Sequence, residues 1–279
     1  MPVSIVVSDL DGTLLDSERR LGPADRATLE ALGAAGVLRV VATGRSLFSA
    51  RRVLGADFPI DYLVHTSGAG IVRWPDARSL NALHMEGRLA TRLAEQLVAL
   101  DFDFMLHHAI PDNHRFLLHR TSRANADFER RVELYAEHCS HLDLARLGAE
   151  PMCQAVVIEH AGAPSRHEAL VERLHDFTVI RATSPLDHRS MWYEIFPRGV
   201  GKSLASAWLR ERGFGAPGLC VAVGNDYNDI DLLEWADLPF VVANAPADLL
   251  RRFPSVSSND QGGFSEAVGR ALAGSVDLP

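Results

Sequence analysis

Two aspartates stand two residues apart in "DLDGTLL" (Asp9–Leu15), directly after the apolar run "SIVVS" at 4–8. A second apolar run ends at a hydroxyl, a glycine and a guanidinium: Thr43, Gly44 and Arg45. A third, "LCVAVG", delivers Asn225, Asp226, Tyr227, Asn228 and Asp229. Between Gly201 and Ser203 lies Lys202, the only lysine of the chain; the other 27 of its 28 Lys+Arg residues are arginines. Carboxylates at short spacing hold a hard cation through oxygen, and a carboxylate can attack phosphorus. An ammonium and N–H donors stabilise the negative charge that spreads over a transferring phosphoryl group. The set therefore suits a phosphoryl group handled with Mg²⁺. Lysine offers a compact charge on a flexible stem, whereas arginine imposes a planar fork. A chain that uses arginine elsewhere keeps its one lysine where the fork does not fit.

These residues converge only if the elements before them run parallel. Residues 4–8, 37–43 and "DYLVHTS" read as buried strands, separated by helical patterns at "PADRATLEALGAAG" and "RSLFSARRVL". Such alternation predicts a parallel sheet with crossover helices, whose ligands bind beyond the carboxyl ends of the strands. "GAGIVRW" through "SLNALHM" reads as a hairpin. The register then changes: strand pairs at "DFMLHH" and "HRFLLHR", and later "CQAVVIEH" and "FTVIRAT", stand between helices at 122–138 and 165–176. This is the pattern of an inserted α+β module. From "MWYEIF" the α/β alternation is expected to resume, with a helix from Lys202, a strand at 219–223 and later elements up to "FSEAVGRALA". The expected fold class is α/β: a doubly wound parallel-sheet (Rossmann-like) core, residues 1–81 and 186–279, with an inserted α+β cap domain over 82–185.

"DLDGTLL" resembles the first motif of the haloacid dehalogenase superfamily of phosphatases, D-x-D-G-T-L, which also follows an N-terminal apolar strand. "ATGR" (42–45) resembles the second motif, "GVGKSLASAWL" the third, and "AVGNDYNDIDLL" the fourth, usually G-D-x-x-N-D. Their order and spacing are similar to the Cof-type subfamily, whose cap sits between motifs two and three. "SGAGIV" and "SSNDQGGFSEAV" are similar to that subfamily too. The resemblance implies that Asp9 is the nucleophile, forming an aspartyl-phosphate. Asp11 protonates the leaving oxygen and then activates water. Thr43, Gly44, Lys202 and Asn228 hold phosphoryl oxygens. Asp9, the Asp11 main-chain carbonyl and motif four, through Asn225, Asp226 and Asp229, bind Mg²⁺, while Asn228 and Asp229 also orient the ligands and Lys202. One departure stands out: the usual first aspartate of motif four aligns with Asn225, a neutral amide. Either Asn225 or Asp226 supplies that metal contact, and weaker metal affinity is expected.

The implied activity is a Mg²⁺-dependent phosphomonoester hydrolase acting on a small phosphorylated metabolite, a sugar or polyol phosphate, with specificity in the cap. A sugar phosphomutase on the same site and a non-catalytic phosphometabolite sensor are the alternatives. "GKS" at 201–203 is no Walker A loop, because Phe196 stands where its first glycine belongs. The histidines of the cap segment and the arginines Arg120, Arg123, Arg130 and Arg131 read as surface groups, or as contacts to a second anionic group of the substrate. A net charge of −8 without a basic block argues against nucleic acid or an anionic membrane as partner. "MPVSIVVSDLDG" is no signal peptide, no run of about 18 apolar residues occurs, and Cys139, Cys153 and Cys220 show no C-x-x-C spacing. Reduced thiols and a cytoplasmic location are the expectation. Oligomeric state is not legible.

Overall fold

The computed structural model describes residues 1–148, 150–159, 162 and 164–274. The chain divides into two compact units, Met1–Asn81 with Gly201–Pro279, and Ala82–Val200. It enters the first with β1 (Val3–Ser8), α1 (Pro23–Ala34), β2 (Leu38–Ala42), α2 (Leu47–Ala50), β3 (Tyr62–His65), β4 (Gly70–Arg73) and β5 (Arg78–Ala82). The second unit contains α3 (Gly87–Ala99), β6 (Phe104–His108), β7 (Phe116–His119), α4 (Ala126–Leu134), β8 (Cys139–His141), β9 (Met152–Ile158), α5 (His167–Arg173), β10 (Phe177–Thr183) and β11 (Met191–Pro197). The chain then returns with α6 (Lys202–Glu211), β12 (Leu219–Gly224), α7 (Ile230–Trp235), β13 (Leu238–Val242), α8 (Ala247–Arg252), β14 (Ser255–Val256) and α9 (Gly263–Ala273).

The first unit is built on an eight-stranded sheet in the order β14-β13-β12-β1-β2-β3-β4-β5. Every pairing from β14 to β3 is parallel, and β4 turns back antiparallel on β3. β1 shows why its sequence is apolar throughout. Val6 packs on one face with Leu29 and Leu32 of α1 and Phe264 and Val268 of α9. Ile5 and Val7 pack on the other, with Leu209 of α6 and Leu232 and Leu233 of α7. Helices on both faces bury both sides of the strand, so alternation disappears. α1 starts with Pro23 in its first turn, where a missing N–H costs nothing. The helix expected over 45–54 is shorter: beyond Ala50 it tightens, the Arg52 and Val53 amides donating three residues back to Ser49 and Ala50.

The second unit has its own six-stranded sheet, β10-β11-β9-β6-β7-β8, antiparallel except where β7 pairs with β8. α3 and α5 bury Leu93, Leu97 and Leu170 against Phe104, Leu106, Tyr193 and Ile195. Phe128 of α4 packs with Met105, Val156 and Trp192. Here the expected boundary needs correction. "MWYEIF" does not resume the core: it forms β11, paired from Thr178 to Thr183 with β10 and from Ala155 to Ile158 with β9. A β-branched and aromatic run gives no sign of which sheet it joins, so the boundary falls at Val200 rather than at 185. No helix among the described residues is long and apolar enough to cross a membrane.

The fragment 82–200 is expected to melt cooperatively with near-UV circular dichroism of a packed core. The fragment 82–185, lacking the strand between β9 and β10, is expected to show neither; a cooperative melt of the shorter piece contradicts this division.

Candidate active site

At the carboxyl end of β1, the Asp9 amide donates to the Val223 carbonyl of β12, so the first and fourth motifs leave the sheet side by side. The Lys202 ammonium is wholly buried, donating to Asp9 Oδ1 at 2.7 Å and to Asp229 Oδ1 at 2.6 Å. Its position is fixed from below. Asp231, in the first turn of α7, accepts from the Ser203 amide and hydroxyl, tying down the start of α6. Asp229 Oδ2 accepts from the Asn225 and Asp226 amides at 2.8 and 3.1 Å. Both its oxygens thus accept hydrogen bonds, so Asp229 orients Lys202 and the motif-four turn.

Three buried charges with a net charge of −1 define the electrostatics. Burial pushes the Asp9 carboxyl up to about 7; Lys202 opposes this, while Asp229 and Asp11 add to it. Burial alone lowers the Lys202 pKa, but the Asp229 and Asp9 carboxylates outweigh it and hold the ammonium protonated above the usual lysine range. Lys202 occupies Asp9 Oδ1; no donor among the described residues reaches Oδ2, which is left for a ligand or for attack.

Asp11 points differently. Arg45 grips it bidentately, Nε and Nη2 each 2.6 Å from a carboxylate oxygen, which links motif two to motif one. Sequence reasoning placed Arg45 at the rim but missed this pairing. Thr43 is buried, its Oγ1 accepting from the Arg45 amide at 3.2 Å, with its own proton left to donate. Gly44 follows it in the loop after β2. Asn228 lies half-buried on the Tyr227–Asp229 turn, its side-chain amide unpartnered among the described residues.

Gly12 has φ +72°, and a Cβ there would lie 2.6 Å from Asn225 Nδ2, which places the motif-four amide against the loop after β1. That loop is clamped from the far side by residues that spacing did not single out. Asn244 donates to the Gly12 carbonyl at 2.8 Å and accepts from the Asn259 amide. Asn259 donates to the Leu15 carbonyl, and Asp260 accepts from the Ser17 amide and hydroxyl. "SSNDQGGF" was legible as a subfamily likeness, but Asn244 carried no signal. In the second unit the arginine run is engaged within the unit. Arg120 pairs with Glu129, Arg123 with Asp101, Arg130 donates to the Leu186 carbonyl, and Arg131 lies over Trp192.

The profile of the haloacid dehalogenase-like hydrolases matches residues 6–268. HMP-PP phosphatase of Citrobacter koseri is 26% identical over 255 residues, covering 89% of this chain and 87% of that protein. Among solved structures, a phosphatase of the haloalkanoate superfamily from Bacteroides thetaiotaomicron is similar with a TM-score of 0.76 at 18% identity, over 96% of this chain and 95% of its own. A subclass IIB sugar phosphatase is similar with a TM-score of 0.72 at 15% identity, over 98% and 99%.

A carboxyl whose folded pKa is raised gives stability below its unfolded pKa and loses it as pH rises through the folded value. Metal-free Asp9→Asn is therefore expected to melt above wild type at pH 8, with the gap narrowing as pH falls below about 7 and closing only toward the ordinary carboxyl value of 3.8. A gap that widens on acidification contradicts the assigned burial cost.

Proposed function

The chain belongs to the haloacid dehalogenase-like hydrolases, as a phosphatase of that superfamily, and from that premise we propose that it is a Mg²⁺-dependent hydrolase of small phosphomonoesters, a sugar or polyol phosphate, working through an aspartyl-phosphate. The observation that carries this reading is the buried Lys202 bridging Asp9 Oδ1 and Asp229. It orients the nucleophile, leaves Oδ2 to react, and sets a fixed positive charge beside the reacting phosphorus.

Asp9 Oδ2 attacks phosphorus as the bond to the leaving oxygen breaks, and Asp11 gives that oxygen its proton. Water then attacks the same phosphorus, Asp11 takes the water's proton, and the bond to Asp9 breaks to release inorganic phosphate. Thr43, Gly44 and Asn228 donate to the non-bridging oxygens, and Lys202 stabilises the charge gathering there. Arg45 holds Asp11 in one rotamer.

The donors suit Mg²⁺ held sparingly. No cluster of three or more His, Cys, Asp or Glu able to hold a metal occurs among the described residues. Asp9, through the oxygen that does not attack, the Asp11 carbonyl and either the Asn225 amide oxygen or Asp226 would hold the ion through oxygen. When bound, it neutralises the meeting of carboxylate and dianionic phosphate. The first assays are sugar and polyol phosphates, with a diphosphate arm prompted by the name of the Citrobacter relative.

In a panel of phosphorylated metabolites, wild type is expected to release phosphate with Mg²⁺, and Asp9→Asn to release none. Lys202→Arg keeps the charge but adds bulk at a fully buried position, so turnover is expected to fall at least about 100-fold, the scale of one lost transition-state donor. Undiminished release by Asp9→Asn removes the nucleophile assignment. For Asn225→Asp, which restores a carboxylate to the ligand set, calorimetry is expected to show Mg²⁺ bound roughly tenfold more tightly; weaker binding places the ion elsewhere.

A further inference from the structure

Between motif two and motif three lies a turn to which no role has been given. Thr66, Ser67 and Gly68 follow β3 with φ of +53°, +50° and +103°. Two side-chain-bearing residues in a row take the left-handed conformation, one of them β-branched, which is strained backbone for both. All three are buried. Strain of this kind persists only where the surroundings over-determine it, and here they do. The Thr66 amide donates to the Arg45 carbonyl at 2.8 Å, and the Ser67 amide to the Thr43 carbonyl at 3.0 Å. Gly68 lies against Gly201, so that a Cβ there would overlap the Gly201 carbonyl and amide. From beneath, buried His65 holds Thr66 Oγ1 through Nδ1 at 3.0 Å, and its ring fills the space a side chain on Gly70 would need.

We propose that Thr66–Gly68 is a positioning turn, which sets the spacing between the phosphate-holding Thr43–Gly44 loop and the ammonium of Lys202, with Gly68 as its gauge. The proposal rests on the phosphate-holding roles given above to Thr43, Gly44 and Lys202. The turn is bonded through its backbone to the peptides on either side of Gly44, and it abuts the residue immediately before Lys202. No other residue type at 68 combines that φ with that approach. Displacing Gly201 moves the start of α6, and with it the amine bonded to Asp9 and Asp229. The turn touches no substrate and acts through its neighbours.

Because the chain has one lysine, labelling with ε-¹⁵N-lysine yields one side-chain NMR signal, which reads the Lys202 environment with no substrate present. Gly218→Ala is the control. It also forces a Cβ onto backbone, at Pro2, but at the amino end of β12, away from the motifs. Both variants are expected to melt lower than wild type. Only Gly68→Ala is expected to shift the lysine signal, weaken inhibition by inorganic phosphate and lower kcat by about 100-fold, the scale of a misplacement of about 1 Å. Thr66→Gly relieves strain without adding atoms and serves if Gly68→Ala fails to fold. It is expected to keep its melting temperature within a few degrees while shifting or broadening the lysine signal and weakening phosphate inhibition. A lysine signal coincident with wild type in the foldable variant overturns the proposal, as does an equal loss of turnover in Gly68→Ala and Gly218→Ala at equal loss of stability. The NMR readout needs no catalysis, so failure of the turn's role is separable from failure of the phosphatase reading.

Discussion

An ammonium with no exposure to solvent sits between two carboxylates, and the architecture of the core follows from the need to keep it there. Burying an unpaired charge costs several kcal/mol, and removing one partner of a buried pair costs about 3–5 kcal/mol. Lys202, Asp9 and Asp229 therefore hold together segments distant in the chain: the end of β1, the start of α6 and the turn after β12. A surface ion pair gives little such constraint. The same arrangement leaves one excess negative charge in the interior, which appears as the upward push on Asp9. A cation or a protonated group arriving at the site relieves that charge, so what destabilises the empty protein also favours the bound one.

Around this centre the four motifs are joined pairwise. Motif three meets motif one through Lys202–Asp9, and motif four meets motif three through Asp229. Motif two meets motif one through Arg45–Asp11, and reaches the start of motif three through the strained turn after β3. The ring closes on the far side through Asn244, Asn259 and Asp260, which hold the loop after β1 by its carbonyls at Gly12 and Leu15 and by Ser17. Backbone groups receive many of these bonds, so the positions they fix do not depend on the rotamer of the reacting side chain.

Legibility in the sequence followed the physics of each feature. β1, β2 and β12 were visible because burial on both faces makes a strand apolar throughout, and each ends at a polar cluster. Lys202 was visible because its rarity isolated it. Asn244 was not, since a side chain that bonds a carbonyl 232 positions away leaves no spacing to read. The Arg45–Asp11 pair was hidden for the same reason. β11 was placed in the wrong sheet because local pattern reports strand character and burial, while partner choice is decided by tertiary register. Asp229 accepts from Lys202 on one oxygen and from the Asn225 and Asp226 amides on the other, which leaves it fewer lone pairs for an ion.

The neutral Asn225 can be understood from the same ledger of charge. With Asp9, Asp11, Asp226 and Asp229 already gathered around one lysine and one arginine, a further carboxylate at 225 would add repulsion to a cluster that is short of cations. An amide leaves the total charge unchanged, and here its Nδ2 is the atom beside Gly12. On the Mg²⁺ role proposed above, an amide at 225 would give the ion one charged ligand fewer, and the phosphate, which carries its own negative charge, would supply what Asn225 lacks.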